Sequence, residues 1–281
     1  MVSLEGRPRA AIGRRLVRTP AGVVGLAVIT LVSLVALFAN AIAPGSPFAS
    51  AGPPLRPPSA GHLMGTDNFG RDMLRAVVHG MATSMTVVVW VTAVALLIGL
   101  AVGMTSGYFG GIVDDVLMRI TEIFQSVPLF LLALLAVSLL GASLRHLIIL
   151  LALTSWDLVA RVVRAETLSM RRLDFVEAAR SVGASTSRIL FRHVGPSAIT
   201  SAVVVVALVG SRVVLIEAAL SFIGLGDPNA ISLGYLAQNA QGFLAVAWWM
   251  SVFPGAAIAL IVVGLNLLGD AVNDVLDPNR A

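Results

Sequence analysis

The chain has 281 residues, of which 57% are apolar and only 12% charged, about half the charged share of a soluble globular domain. Its formal net charge is +4, its 19 basic residues are all arginine, and it has no cysteine. This excludes an ordinary water-soluble domain. It also excludes a P-loop ATP site or a Schiff base in this chain, which need lysine, and any disulfide, thiolate nucleophile or thiolate metal site.

A hydrocarbon core about 30 Å thick takes about 20 apolar residues per helix. Six runs qualify, at roughly 21–43, 82–105, 118–140, 146–163, 197–220 and 245–267, and the fourth is the shortest. Ahead of the first lies a tail, 1–20, with Arg7, Arg9, Arg14, Arg15 and Arg18, which belongs in the cytoplasm by the positive-inside rule. "ANA" at Ala39–Ala41 resembles a signal-peptidase site, but the apolar run before it is longer than a signal core, so a retained anchor helix is expected. The connection 44–81 begins with Pro44, Pro47, Pro53, Pro54, Pro57 and Pro58 and is expected to be extended and irregular there.

Within that connection, "GTDNFGRDMLR" sets Asp67, Arg71, Asp72 and Arg75 close together. On a short helix Asp67 and Arg71, and Arg71 and Arg75, stand at i and i+4, a local charge network at the outer surface. His62 and His79 flank it, a weak metal signal without a third ligand. In the second span, Ala95, Gly99, Gly103 and Gly107 recur every fourth residue and leave a smooth strip for a neighbouring helix. Asp114 and Asp115 are expected to cap the third helix. Glu122 and Asp157, near span ends, read as interfacial.

Residues 161–192 carry seven more arginines, which places the insert 164–196 in the cytoplasm. With six spans, both termini are then cytoplasmic, and the connections 44–81 and 221–244 lie outside. In the insert, Asp174 and Glu177 fit a capping box, and Gly183 supplies a left-handed residue to end that helix. Ser185 or Thr186 caps a second helix, which Gly195 and Pro196 are expected to stop. Phe175, Val176, Ala179 and Val182 give the first helix an apolar face, with Arg180, Arg188 and Arg192 for charge. Such a peg suits a groove on another protein, and a headgroup surface suits it equally.

Arg212 and Glu217 are charges inside the fifth span, so pathway-facing roles are expected; Glu217 hydrated near the outer surface is an equal alternative. Asp270, Asp274 and Asp277 follow the sixth span in the tail 269–281 and read as a solvated acidic face.

E177-A-A-x-x-x-G183 with His193 and Pro196 resembles the EAA coupling loop of bacterial ABC-importer permeases. "MGTDNFGRDMLRAVVHGMATSM" (64–85), "EAALSFIGLGDP" (217–228), "FPG" (253–255) and "NLLGDAVNDVLDP" (266–278) resemble the C-type membrane subunit of dipeptide, oligopeptide and nickel uptake systems. "ISLGYLAQNA" replaces the usual Trp-Gly pair, and Arg212 departs from the family pattern. The resemblance implies an all-α polytopic membrane protein of type I ABC-importer permease architecture, with six transmembrane helices, in the bacterial inner membrane. It implies a non-catalytic subunit, without a cofactor of its own, that passes peptides across the bilayer. Its partners would be a homologous permease, two ATPase subunits that bind ATP and magnesium, and an extracytoplasmic substrate-binding protein; no nucleic acid is implied. It assigns the ATPase contact to Glu177, Ala178, Ala179, Arg180, Gly183, His193 and Pro196.

Alternatives are a nickel-chelate permease of the same family, a stand-alone secondary transporter or channel, and an intramembrane enzyme. The second would want broken helices, for which Pro128 and Pro254, both near span ends, are the only candidates. The third lacks a Ser and His pair within spans or a metal-ligand cluster.

Overall fold

A computed structural model describes residues 19–276. The arginines of the N-terminal tail and Asp277 lie outside the described residues. The helices are α1 (Pro20–Leu37), α2 (Ala39–Ile42), α3 (Met73–Phe109), α4 (Gly111–Ser126), α5 (Leu129–Leu140), α6 (Leu144–Thr154), α7 (Asp157–Met170), α8 (Asp174–Ser181), α9 (Thr186–Arg188), α10 (Gly195–Phe222), α11 (Leu233–Ala240) and α12 (Trp249–Leu276). Pro20–Leu37, Met73–Phe109, Leu144–Met170, Thr186–Phe222 and Trp249–Val275 are each long and apolar enough to cross a membrane, and the pair α4 and α5 makes a sixth span if counted as one.

The first helix starts because Pro20 occupies a position where a missing N–H is harmless, while Thr19 Oγ1 accepts the Gly22 N–H at 3.2 Å. It packs on α12 through facing glycines. A Cβ on Gly25 would lie 2.7 Å from the Leu268 backbone nitrogen, and one on Gly264 would lie 2.6 Å from Val28. The same logic fixes the centre of the bundle. A Cβ on Gly99, Gly103 or Gly107 would fall within 2.5–2.7 Å of Val159, Ala160 or Thr167. The small-residue strip of α3 is thus filled by α7 of the same chain. Val87, Val91, Val159, Val163 and Val213 complete a dry core there, each fully buried.

The structure departs from the apolar runs in several places. The second span, α3, begins at Met73, inside the connection assigned to 44–81, because Asp72 caps it: its Oδ1 accepts the Arg75 N–H at 3.0 Å. The third span is broken. Val127 takes an extended conformation ahead of Pro128, as the proline ring demands, and α4 and α5 diverge by 77°. Pro128 therefore interrupts the span rather than marking its end, whereas Pro254 lies inside α12 without ending it.

The fourth span runs on to Met170, so the helix absorbs the start of the insert placed at 164–196. Pro196 does not stop a helix either. A π-helical turn, Ile189–Val194, carries α9 into α10, and the Gly195 N–H bonds Leu190 O. Widening the turn accommodates a proline ring that would clash with a carbonyl four residues back.

Candidate coupling site and intramembrane polar groups

Leu173, extended at φ −79° and ψ 143°, precedes α8, so Asp174 is its first helical residue and not its cap. No side chain caps this end, and the expected capping box does not form. Asp174 and Glu177 instead occupy the first turn, where acids complement the helix dipole. The other end closes as a Schellman motif. Gly183 N–H donates to Arg180 O at 2.9 Å and Ala184 N–H to Ala179 O at 3.0 Å, with Gly183 at φ +80°. A Cβ at Gly183 would meet nothing within 4 Å, so the demand for glycine is conformational and not steric. Ser185, rather than Thr186, then caps α9, its Oγ accepting the Arg188 N–H at 3.4 Å.

This bent peg is seated on the end of α3. Val176 is fully buried against Tyr108, Ile189 and Val194. The Arg180 guanidinium lies 5.2 Å from the centre of the Tyr108 ring, and Arg171 donates to Tyr108 O at 3.0 Å. The apolar face expected on α8 is therefore divided. Val176 and Ala179 turn inward, while Phe175, at 42% exposure, and Val182, at 85%, turn outward. Glu177, Ala178, Arg180, Gly183 and Pro196 are exposed, and His193 is half-buried beside Phe175, with ring centres 6.1 Å apart.

Beneath the peg, Asp114 does not cap α4. It accepts two hydrogen bonds from Arg164, at 2.5 and 2.6 Å, and one from Ser106 Oγ at 2.7 Å. That clamp ties α3, α4 and α7 together. Ser197 Oγ adds a link from α10 to Glu166 on α7 at 2.5 Å. Buried apolar contact thus ties α8 to α3, and charge-assisted bonds tie α3 in turn to α4 and α7.

Arg212 and Glu217 part company. Glu217 is 1% exposed, accepts from Ser84 Oγ at 3.0 Å and Ser221 Oγ at 2.8 Å, and has the Ser232 hydroxyl beside it. The alternative of a hydrated surface carboxylate is overturned: α3 and the N-terminus of α11 close over it. Arg212 is exposed on the flank of α10. An offset of five residues turns the two side chains about 140° apart.

Asp67 and Arg71 do not share a helix. Residues 66–72 form a turn, held by Gly65 and Gly70 at φ +76° and +72°. A Cβ on Gly70 would strike Gly52 O. Asp67 accepts the N–H groups of Phe69 and Arg71, both at 2.8 Å. Burial pushes its carboxyl above the usual carboxylate range, against those bonds and the Arg71 charge. Arg71 stacks on Phe48 and Phe69 and reaches the Tyr235 hydroxyl at 3.4 Å. Asp72 holds His62 at 2.8 Å, and His79 meets Ala43 O at 2.9 Å. Arg75 approaches Gly45. The cluster joins the segment before α3 to Tyr235 of α11 and to the bundle.

Residues 95–281 match the family described as the binding-protein-dependent transport system inner membrane component, and residues 8–58 match the N-terminal TM domain of oligopeptide transport permease C. The chain belongs to the former family. This permease is similar to the dipeptide transport system permease protein DppC of Alkalihalophilus pseudofirmus, 35% identical over 94% of this chain and 88% of that protein. It is 35% identical to the oligopeptide transport system permease protein OppC of Bacillus subtilis, over 91% of this chain and 84% of that protein. Its fold is that of a solved inward-facing MetNI methionine ABC transporter chain, with TM-score 0.58 and 20% identity over 73% of this chain and 98% of that one. It is an all-α importer permease of the bacterial inner membrane.

Sequence reasoning missed the Asp114–Arg164 clamp and the use of Tyr108 as the seat of the peg. The first joins residues 50 positions apart, and no local spacing signals it.

Proposed function

We propose that this permease forms half of the membrane pathway of an ATP-driven peptide importer and that the peg is its intake for force. In this reading a homologous permease supplies the other half, and two ATPase subunits bind ATP and magnesium and dock on residues 174–196. A substrate-binding protein delivers cargo from outside, and both termini lie in the cytoplasm. Peptide cargo is supported by relatives named for dipeptide and oligopeptide transport. Seven arginines within residues 161–192 support a cytoplasmic peg.

The observation that carries the reading is the division of α8. One side is packed with Tyr108 of α3, Met170 of α7 and the π-turn that leads into α10, while Glu177, Ala178 and Val182 stand bare on the other. Alanine at 178 lets a partner backbone approach closely. Affinity purification of the tagged permease from the native membrane tests it. An ATPase recovered with this chain, and uptake of a dipeptide into vesicles only when that ATPase is present, is the expected result. Full uptake by the purified chain alone would sink it.

A further inference from the structure

We infer that Arg212 is a recognition group for the carboxylate of the cargo, met inside the membrane; this deepens the peptide-import reading above and rests on it. The helix α10 spans 28 residues, about 42 Å against a hydrocarbon core of about 30 Å. Arg212 lies past the midpoint of Gly195–Phe222 toward Phe222, by about 5 Å at the helical rise. It is therefore well within hydrocarbon depth.

Its neighbours on the same face are Leu208 and Leu215, 40% and 51% exposed, followed by Ala219 and Phe222 at helical spacing. Among the described residues Arg212 makes no hydrogen bond or ion pair, whereas the polar groups around it are matched. Glu217, the nearest acid along the helix, is held by Ser84 and Ser221. The adjacent Ser211 donates to Asn266 Oδ1 at 2.8 Å.

A bare guanidinium at this depth is stable only facing water or an acceptor that this chain does not supply. It is always ionised, and its planar fork accepts a carboxylate with two parallel hydrogen bonds. On an otherwise apolar strip, a single charged donor can set the orientation of a ligand held against it. Every unmodified peptide carries the matching group at its C-terminus.

The chain has no cysteine, so Arg212→Cys gives a single reactive thiol once the partners are made cysteine-free. The complete importer is reconstituted in vesicles with its binding protein, and uptake of a radiolabelled dipeptide is measured. Loss of a charge-assisted contact should slow uptake about ten- to hundredfold. Reaction with an aminoethyl methanethiosulfonate, which restores a cation, should recover most of the rate, and the uncharged methyl reagent should not. Wild-type uptake should favour the free dipeptide over the same dipeptide amidated at its C-terminus, Arg212→Cys should narrow that preference, and the aminoethyl adduct should restore it.

Unchanged uptake by Arg212→Cys, equal recovery with both reagents, or a thiol that the water-soluble reagents cannot reach would each overturn the inference. So would a preference for the free over the amidated dipeptide that is the same in all three, the outcome for an arginine paired with an acid of the partner permease. Wild-type vesicles that accumulate no dipeptide would refute peptide import itself, which is a different failure from an indifferent Arg212.

Discussion

Gly183 offers the sharpest separation of conformation from size. It sits at φ +80°, and a Cβ there would touch nothing within 4 Å. Placing an L-residue in that region costs about 1–2 kcal/mol, a factor of about 5–30 in the population of the bent peg. Burial of Val176, the anchor, supplies about 1.5–3 kcal/mol. Alanine therefore removes much of the margin that keeps α8 seated, whereas asparagine, larger but tolerant of the left-handed region, removes less. The expected order of coupling is glycine, then asparagine, then alanine, with Gly183→Leu abolishing peptide uptake and permease-stimulated ATP hydrolysis while membrane insertion stays intact. The assay is ATP hydrolysis and uptake by the reconstituted complex. Activity that falls with side-chain volume, asparagine worse than alanine, or a normally coupled leucine variant would refute the argument.

Other parts of the structure give independent tests. Asp114→Ala strips three hydrogen bonds from a largely buried site and leaves Arg164 without its partner; a loss of about 2–4 kcal/mol is expected, read as a lower melting temperature of the detergent-solubilised complex. Gly103→Leu drives a side chain into Ala160 O and Val163, where a Cβ alone would lie 2.5 Å from the carbonyl, and the variant should not accumulate in membranes. Glu217→Ala leaves Ser84 and Ser221 without their acceptor and should destabilise more than Glu217→Gln, which keeps one carbonyl oxygen, in the same melting assay. Asp67→Asn retains acceptors for the Phe69 and Arg71 N–H groups. Because burial raises the Asp67 pKa, the wild type gains stability as pH falls through that raised value and loses it above. The asparagine variant should therefore melt at or above the wild-type temperature at pH 7, and the gap should close on acidification.

Legibility followed the range of each interaction. The α3 strip was readable because four small residues at a four-residue period can only mean a close neighbour, although nothing in the strip named α7 as that neighbour. The left-handed end of α8 was readable from Gly183, a local backbone requirement. Pro196 does not stop the helix because the π-turn sends the Gly195 N–H to Leu190 O and widens the backbone enough to admit the proline ring. The break at Pro128 was underestimated because both flanks, 118–126 and 129–140, are apolar enough to conceal it. Asp174, expected to cap its helix, is a first-turn acid, whereas Asp72, read from the sequence only as part of a charge network, is a cap. That difference rests on one residue of register in the chain preceding each helix. The cage around Glu217 draws on three elements that only the fold brings together.

The central claim, that the outward side of α8 receives force from another chain, is tested most directly by a cross-link from Val182→Cys in intact cells that express the complete importer. A short bismaleimide should join this residue to an ATPase subunit, with a yield that changes when ATP is trapped in the complex. A thiol at 182 that reacts with an impermeant reagent from outside the cell, or that joins no ATPase under either condition, would contradict it.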